Sequence, residues 1–152
     1  MLQWGFTLLE TMMAVAVASL LVALAVPTYS GVIERMRVSQ ARQDLARLAQ
    51  EVQRYRTAHD FKLPNSLNDL PAGIPRKDPW NGDYQYLNFS ANIPGIKGMI
   101  RKDHNLHPLN TEFDLYSKGP DGDSNAPLTS SKSRDDIIWA RDGSFIGKAE
   151  DF

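Results

Sequence analysis

"GFTLLETMMAVAVASLLVALAVP" (residues 5–27) decides how the rest of the chain is read. From Phe6 to Val26 every residue is apolar or small, apart from one charge, Glu10. A helix over 6–26 rises roughly 30 Å, the thickness of a bilayer's hydrocarbon layer. Three readings fit that length. A core helix needs protein on all sides, and a chain of 152 residues has little left to wrap it. A cleaved secretory signal is suggested by "ALA" at 23–25 with a proline close behind; against it, the run is long, holds Glu10, and follows a "MLQW" start without Lys or Arg. A retained membrane helix accommodates the whole run and is the reading carried forward. Arg35 and Arg37 follow the segment and nothing basic precedes it. Taken alone, the positive-inside rule puts the C-terminal side in the cytoplasm.

Pro27 predicts a kink or interruption. Beyond it, Val38, Ala41, Leu45, Leu48, Val52 and Tyr55 recur at spacings of 3, 4, 3, 4 and 3. That is the seam of an amphipathic helix, to be packed on the chain's own globular part. Arg37, Gln40, Arg42, Gln43, Asp44, Arg47, Glu51, Arg54 and Arg56 occupy its other faces. One long helix is expected from Phe6 to about His59, apolar all round in its first half and amphipathic in its second. Ala14, Ala16, Ala18, Ser19, Ala23 and Ala25 are small enough for membrane helices to approach closely, though alanine is also common in any such helix.

From Phe61 onward Pro, Asn, Gly and Asp mark turns. "LNDL" (67–70) predicts one helical turn. Residues 84–89, 98–102, 112–117, 136–140 and 144–148 predict strands, and Asp142-Gly143 between the last two is a hairpin signal. Trp80 and Trp139 read as core or turn anchors. The fold class is α+β: a long N-terminal helix packed on a small antiparallel β-sheet, with a C-terminal metal-binding loop. By composition the chain divides into residues 1–5, 6–30 (membrane helix), 31–60 (amphipathic continuation) and 61–152 (β-rich domain).

There is no cysteine, which excludes disulfides, thiol catalysis and Cys-ligated metals. A formal net charge of −1 gives no electrostatic case for nucleic acid. His104 and His107 in "HNLH" have no evident third ligand for zinc, and no phosphate loop, G-x-S-x-G or H-E-x-x-H occurs. No catalytic constellation is present, so no enzyme is expected.

Residues 113–139, "FDLYSKGPDGDSNAPLTSSKSRDDIIW", hold Asp114, Asp121, Asp123, Asp135 and Asp136 among Ser and Asn. Ca²⁺ takes six to eight oxygens of these kinds. "DGDSN" resembles the start of an EF-hand, but Ala126 and Lys132 stand where glycine and glutamate are required, so it is not one. A solvated acidic turn without metal is the other reading. A cation between the loop's ends would offset the entropy of ordering it.

Three motifs in order carry a resemblance. "GFTLLE" (5–10) is similar to the cleavage and methylation motif of type IV prepilins and type II secretion pseudopilins, with Pro27 at a position where proline is common. "DPWNGDYQYLN" (78–88) and "FDLYSKGPDG" (113–122) followed by "DDIIW" (135–139) resemble segments of the major pseudopilins. The resemblance implies a structural subunit of a helical pseudopilus filament that supports type II secretion across the outer membrane. It implies that residues 1–5 are a leader and 6–30 the assembly helix, with cleavage between Gly5 and Phe6 by prepilin peptidase and N-methylation of Phe6. Glu10 then pairs with the Phe6 amine of a neighbouring subunit, or else snorkels to the interface. It implies Ca²⁺ held by Asp121, Asp135, Asp136 and the Lys118 carbonyl, with Asp123 a further candidate. The implied partners are other copies of the chain, minor pseudopilins, prepilin peptidase and an inner-membrane assembly platform. The implied location is the Gram-negative inner membrane, single-pass, with the globular domain periplasmic, opposite to the arginine count. Two alternatives stay open: a type IV pilin or minor pilin for adhesion, motility or DNA uptake, and a membrane-anchored periplasmic binding domain that never polymerises.

Overall fold

The structure is a computed structural model that describes residues 5–104 and 106–152, with the side chains of 25–28 left aside. A single helix, α1, runs Leu8–Ala58. Pro27 does not interrupt it; loss of one i→i−4 hydrogen bond is tolerated within a long apolar helix. The chain forms two compact units, residues 1–36 and 37–152.

Over residues 8–24 the apolar side chains are exposed all round the helix, with Leu8, Leu9, Met12, Met13, Val15, Val17, Leu20, Leu21, Val22 and Leu24, and Phe6 just before it, each more than half accessible. By length and composition α1 is able to cross a membrane. Ser19 donates to the Val15 carbonyl at 2.8 Å, which satisfies its hydroxyl within the helix.

The second unit is built on the predicted seam. Ala41, Leu45, Leu48 and Val52 are wholly buried, with Val38 and Tyr55 packed at either end. They lie on an antiparallel sheet in the order β1 (Gln85–Asn88), β2 (Phe113–Ser117), β3 (Ile137–Ala140), β4 (Phe145–Lys148). Phe113, Leu115, Ile137 and Trp139 face the helix, joined by Leu67, Leu70, Ile74 and Tyr84; the Phe113 and Trp139 rings stack at 4.7 Å. The opposite face is covered too. Ile138 and Ala140 pack there with Leu109, Leu128 and Ala149, against Tyr116, Phe145 and Phe152. This explains why "IIWA" is an unbroken apolar run: β3 is buried on both faces.

Four of the five expected strands form. The exception is 98–102. Gly95, at φ +77°, opens a short helix, α2 (Ile96–Met99), and Arg101 lies in an irregular segment. The turn at 67–70 is a 3-10 turn over Leu67–Asp69, held by a capping box between Ser66 and Asp69. β3 and β4 pair from Ile137–Lys148 to Ala140–Phe145, across a turn in which Arg141, Asp142 and Gly143 all have positive φ.

Candidate functional site

At the N-terminus the backbone of residues 5–7 is non-helical and α1 begins at Leu8. The Glu10 N–H donates to Thr7 Oγ1 at 3.2 Å, making Thr7 the helix cap. Thr-x-x-Glu is the sequence signal of a capping box, so Thr7 was legible beside Glu10. The Glu10 carboxylate has no hydrogen bond or ion pair among the described residues. Phe6 is 81% exposed, and a Cβ added at Gly5 would touch nothing within 4 Å, so the bond between them is sterically open. Met1–Trp4, the rest of the expected leader, lie outside the described residues.

The "DPWNG" segment is a turn organised by one buried carboxylate. Asp78 Oδ1 accepts from the N–H groups of Trp80 (3.1 Å) and Gly82 (2.7 Å). Its Oδ2 accepts from the Ser117 hydroxyl at 2.5 Å, and Ser117 Oγ in turn accepts from the Gly119 N–H at 3.0 Å. Tyr84 at the end of the segment donates to Asp44 of α1 at 2.9 Å. Two of the motifs, "DPWNG" and "KGPDG", are thereby tied together through Asp78 and Ser117.

Loop 118–136 joins β2 to β3. Its first bend needs Gly119: φ is +66°, and a Cβ would collide with the backbone carbonyl of Asp135. The Asp121 N–H donates to Asp135 Oδ2 at 3.3 Å, and the Asp123 N–H to Asp121 Oδ1 at 2.8 Å. Asp123 is exposed and pairs with Lys132 at 2.8 Å; that hydrogen bond and charge lower its carboxyl below the usual range. Further on, Ser133 Oγ accepts from the Asn125 N–H and donates to the Asn125 carbonyl.

Asp136 is different in kind. It is wholly buried, and Arg101 lies on it with Nη2–Oδ2 at 2.5 Å, itself only 2% exposed. Nη1 of Arg101 donates to Ser124 Oγ and, at 3.0 Å, to the Asn125 carbonyl. Ser124 Oγ donates to the same Asp136 Oδ2 at 2.6 Å. The guanidinium stacks 4.2 Å from the Tyr116 ring centre. Its backbone is fixed as well: the Arg101 N–H donates to Asp114 Oδ2 at 2.7 Å, and its carbonyl accepts from Leu109. Burial pushes the Asp136 carboxyl up to about 6 against the pull of Arg101 and Ser124. Asp114, held by Arg101 and Asn110, is likewise pushed up to about 6 by burial.

The structure therefore separates the expected ligands. Asp121 and Asp135 are neighbours, Asp136 faces a guanidinium, Asp123 faces Lys132, and Lys118 is half-buried beside Gly119. Among the described residues no three His, Asp or Glu side chains are grouped to hold a metal ion. So arranged, the donor set does not fit a divalent cation, because one of its two buried-end carboxylates is already neutralised. Buried Asp136 Oδ1 and Arg101 Nε have no protein partner among the described residues. Arg101 was not singled out by the motifs; a lone arginine in an otherwise strand-like segment was its one signal. His104 contacts its own neighbour Asp103 at 2.9 Å.

No family model matches the chain, and no solved structure matches it. Curated proteins do. The chain is 31% identical over 140 residues to the type II secretion system core protein G of Pseudomonas aeruginosa, covering 79% of this chain and 85% of that protein. It is 30% identical over 139 residues to the protein of the same name from Vibrio cholerae, covering 79% and 82%. It is also 30% identical over 136 residues to the type IV major fimbrial protein FimA of Dichelobacter nodosus, covering 84% and 75%.

Proposed function

The chain belongs to the type II secretion system core protein G family and is a structural subunit of a pseudopilus; from that premise we propose how its N-terminal segment makes one chain part of a filament. Prepilin peptidase cuts between Gly5 and Phe6, and the new amine of Phe6 is methylated but stays cationic. Glu10 of each subunit pairs with the Phe6 amine of a neighbour. Such a contact is heterologous and does not close on itself, so repetition builds a helix of subunits. The pair also fixes axial register, a role well attested for buried polar groups. The apolar half of α1 holds the subunit single-pass in the inner membrane before assembly, with the sheet domain on the periplasmic side. Minor pseudopilins and an inner-membrane assembly platform are its further partners. The role is structural, with chemistry confined to maturation.

One observation carries this reading: a capped helix whose apolar stretch, residues 8–24, is exposed all round and whose one carboxylate in that stretch, Glu10, has no cation among the described residues. Two measurements test it. Intact mass of membrane-extracted protein is expected to show loss of residues 1–5 and gain of one methyl group. Glu10→Leu is expected to reach the membrane yet give no cross-linked ladder of subunits. An uncut N-terminus, or a normal ladder from Glu10→Leu, overturns the proposal.

The similarity to a type IV fimbrial protein favours a second reading, a surface pilin. Deletion separates the two. Retention of exoproteins inside the envelope supports the pseudopilus, and loss of surface fibres with normal secretion supports the pilin.

A further inference from the structure

We infer that the guanidinium of Arg101 is the resident cation of loop 118–136, so that this loop closes without a metal ion. Asp136 anchors the arrangement. A carboxylate with no exposure needs a counter-charge and hydrogen bonds, or it would not be ionised there. Arg101 supplies both, and its planar fork suits the task. One nitrogen meets Asp136 Oδ2 at 2.5 Å, while the other reaches Ser124 and the Asn125 carbonyl on the loop itself. The guanidinium therefore gathers a carboxylate at the end of the loop, a hydroxyl and a carbonyl from its middle. Those are the oxygen types a Ca²⁺ ion would gather.

The placement of Arg101 is over-determined. Asp114 of β2 accepts its N–H, Leu109 donates to its carbonyl, and the ring of Tyr116 covers the guanidinium face. The next residue pairs with the loop through its backbone: the Lys102 N–H donates to the Ala126 carbonyl at 3.1 Å, and the Leu128 N–H to the Lys102 carbonyl at 2.9 Å. Segment 101–102 thus holds the loop by main chain and side chain together. Of the Asp136 carboxylate only Oδ1 is left without a protein partner. A divalent ion ligated there would share a buried site with a fixed positive charge, and the repulsion would be strong at low dielectric. Asp123, the further oxygen donor expected from sequence, is occupied by Lys132.

The inference concerns the isolated subunit and holds whether or not the chain assembles. The test uses full-length protein in detergent micelles, melted while following tryptophan fluorescence, first in excess EDTA and then in millimolar CaCl₂. The expected result is the same melting temperature in both. A rise of about 5 °C or more with Ca²⁺ overturns the inference, since that is what a ligand bound well below its concentration produces in a domain of this size. Arg101→Gln is the second arm, read by hydrogen exchange in EDTA. Loop 118–136 is expected to lose its protection while the amides of α1 in residues 41–52 keep theirs. Wild-type protection of the loop in Arg101→Gln overturns the inference. Should Arg101→Gln not fold, the calcium arm on the unmodified chain still decides.

Discussion

Asp78→Ala is the most informative single change in the sheet domain. The Asp78 carboxylate is 7% exposed and accepts three hydrogen bonds, from the Trp80 and Gly82 N–H groups and from Ser117 Oγ. Removing it orphans two backbone donors and frees a buried hydroxyl. At about 1 kcal/mol for each bond, with a further cost where a donor stays buried, the loss is roughly 3–4 kcal/mol. For a domain near a hundred residues, that lowers the melting temperature by about 15 °C. Asp78→Asn provides the internal control. Its Oδ1 still accepts from Trp80 and Gly82. Ser117 turns its hydroxyl and accepts from the new amide instead, so the expected loss is about 1 kcal/mol. Both variants are to be melted in detergent alongside the parent. The reasoning fails if Asp78→Ala melts within about 2 °C of the parent, or if Asn and Ala are equally destabilising.

Two further outcomes follow from the same geometry. Gly119→Ala puts a Cβ at φ +66° into the Asp135 carbonyl, so it is expected to cost about 2–4 kcal/mol, and a melting temperature unchanged from the parent would refute that account. Asp114 has a folded pKa raised to about 6, above its unfolded value near 3.9, so the native state binds its proton more tightly. Its contribution is then full below about pH 4 and is lost as pH rises through about 6, making the fold less stable at pH 7 than at pH 5 by an amount on the order of 1–2 kcal/mol on this account. Asp136 is raised in the same way and titrates in the same window. Asp114→Asn is therefore expected to flatten the slope between pH 4.5 and 7 by about half. A slope identical to the parent's in urea titrations would refute it.

What the sequence made legible was periodic. The seam at Val38–Tyr55 named its own buried residues, and the alternation in 84–89 and 112–117 placed β1 and β2, because each element repeats its contact every turn or every second residue. Arg101 was not legible for the opposite reason. Its partners Asp136 and Ser124 lie 35 and 23 residues away, and no period links them. The same feature misled the strand expectation at 98–102. "GMIRK" alternates well enough, but Gly95 at positive φ turns the chain into α2, and the cost of turning an arginine inward is offset by groups distant in sequence: the Asp136 carboxylate, Ser124, the Asn125 carbonyl and the Tyr116 ring. A buried charge is a property of the assembled fold, so a local reading sends it to solvent.

Glu10 is a second charge whose cost exceeds what its own helix offsets. Within the chain its carboxylate sits in the first turn of α1, where the aligned peptide dipoles favour a negative charge. That term is worth about 0.3–1 kcal/mol at an exposed helix start. An ionised carboxylate in hydrocarbon costs about 2.5 kcal/mol even on lenient scales and several times that on stricter ones. The dipole therefore explains why the N-terminal end of the segment is the least costly place for a glutamate, but it does not cover the cost of keeping one there. A short side chain limits how far Glu10 snorkels, and under the proposed assembly a cation supplies the difference. Under the proposed maturation the Phe6 amine is a cation at the right depth in every subunit. Its own chain's amine lies at the start of the same helix, which leaves self-neutralisation as the competing arrangement. An isotope-filtered contact between Phe6 and Glu10 in filaments of mixed labelled and unlabelled subunits is expected if the pair is intermolecular; its absence from intact, correctly processed filaments would assign the pair to a single chain.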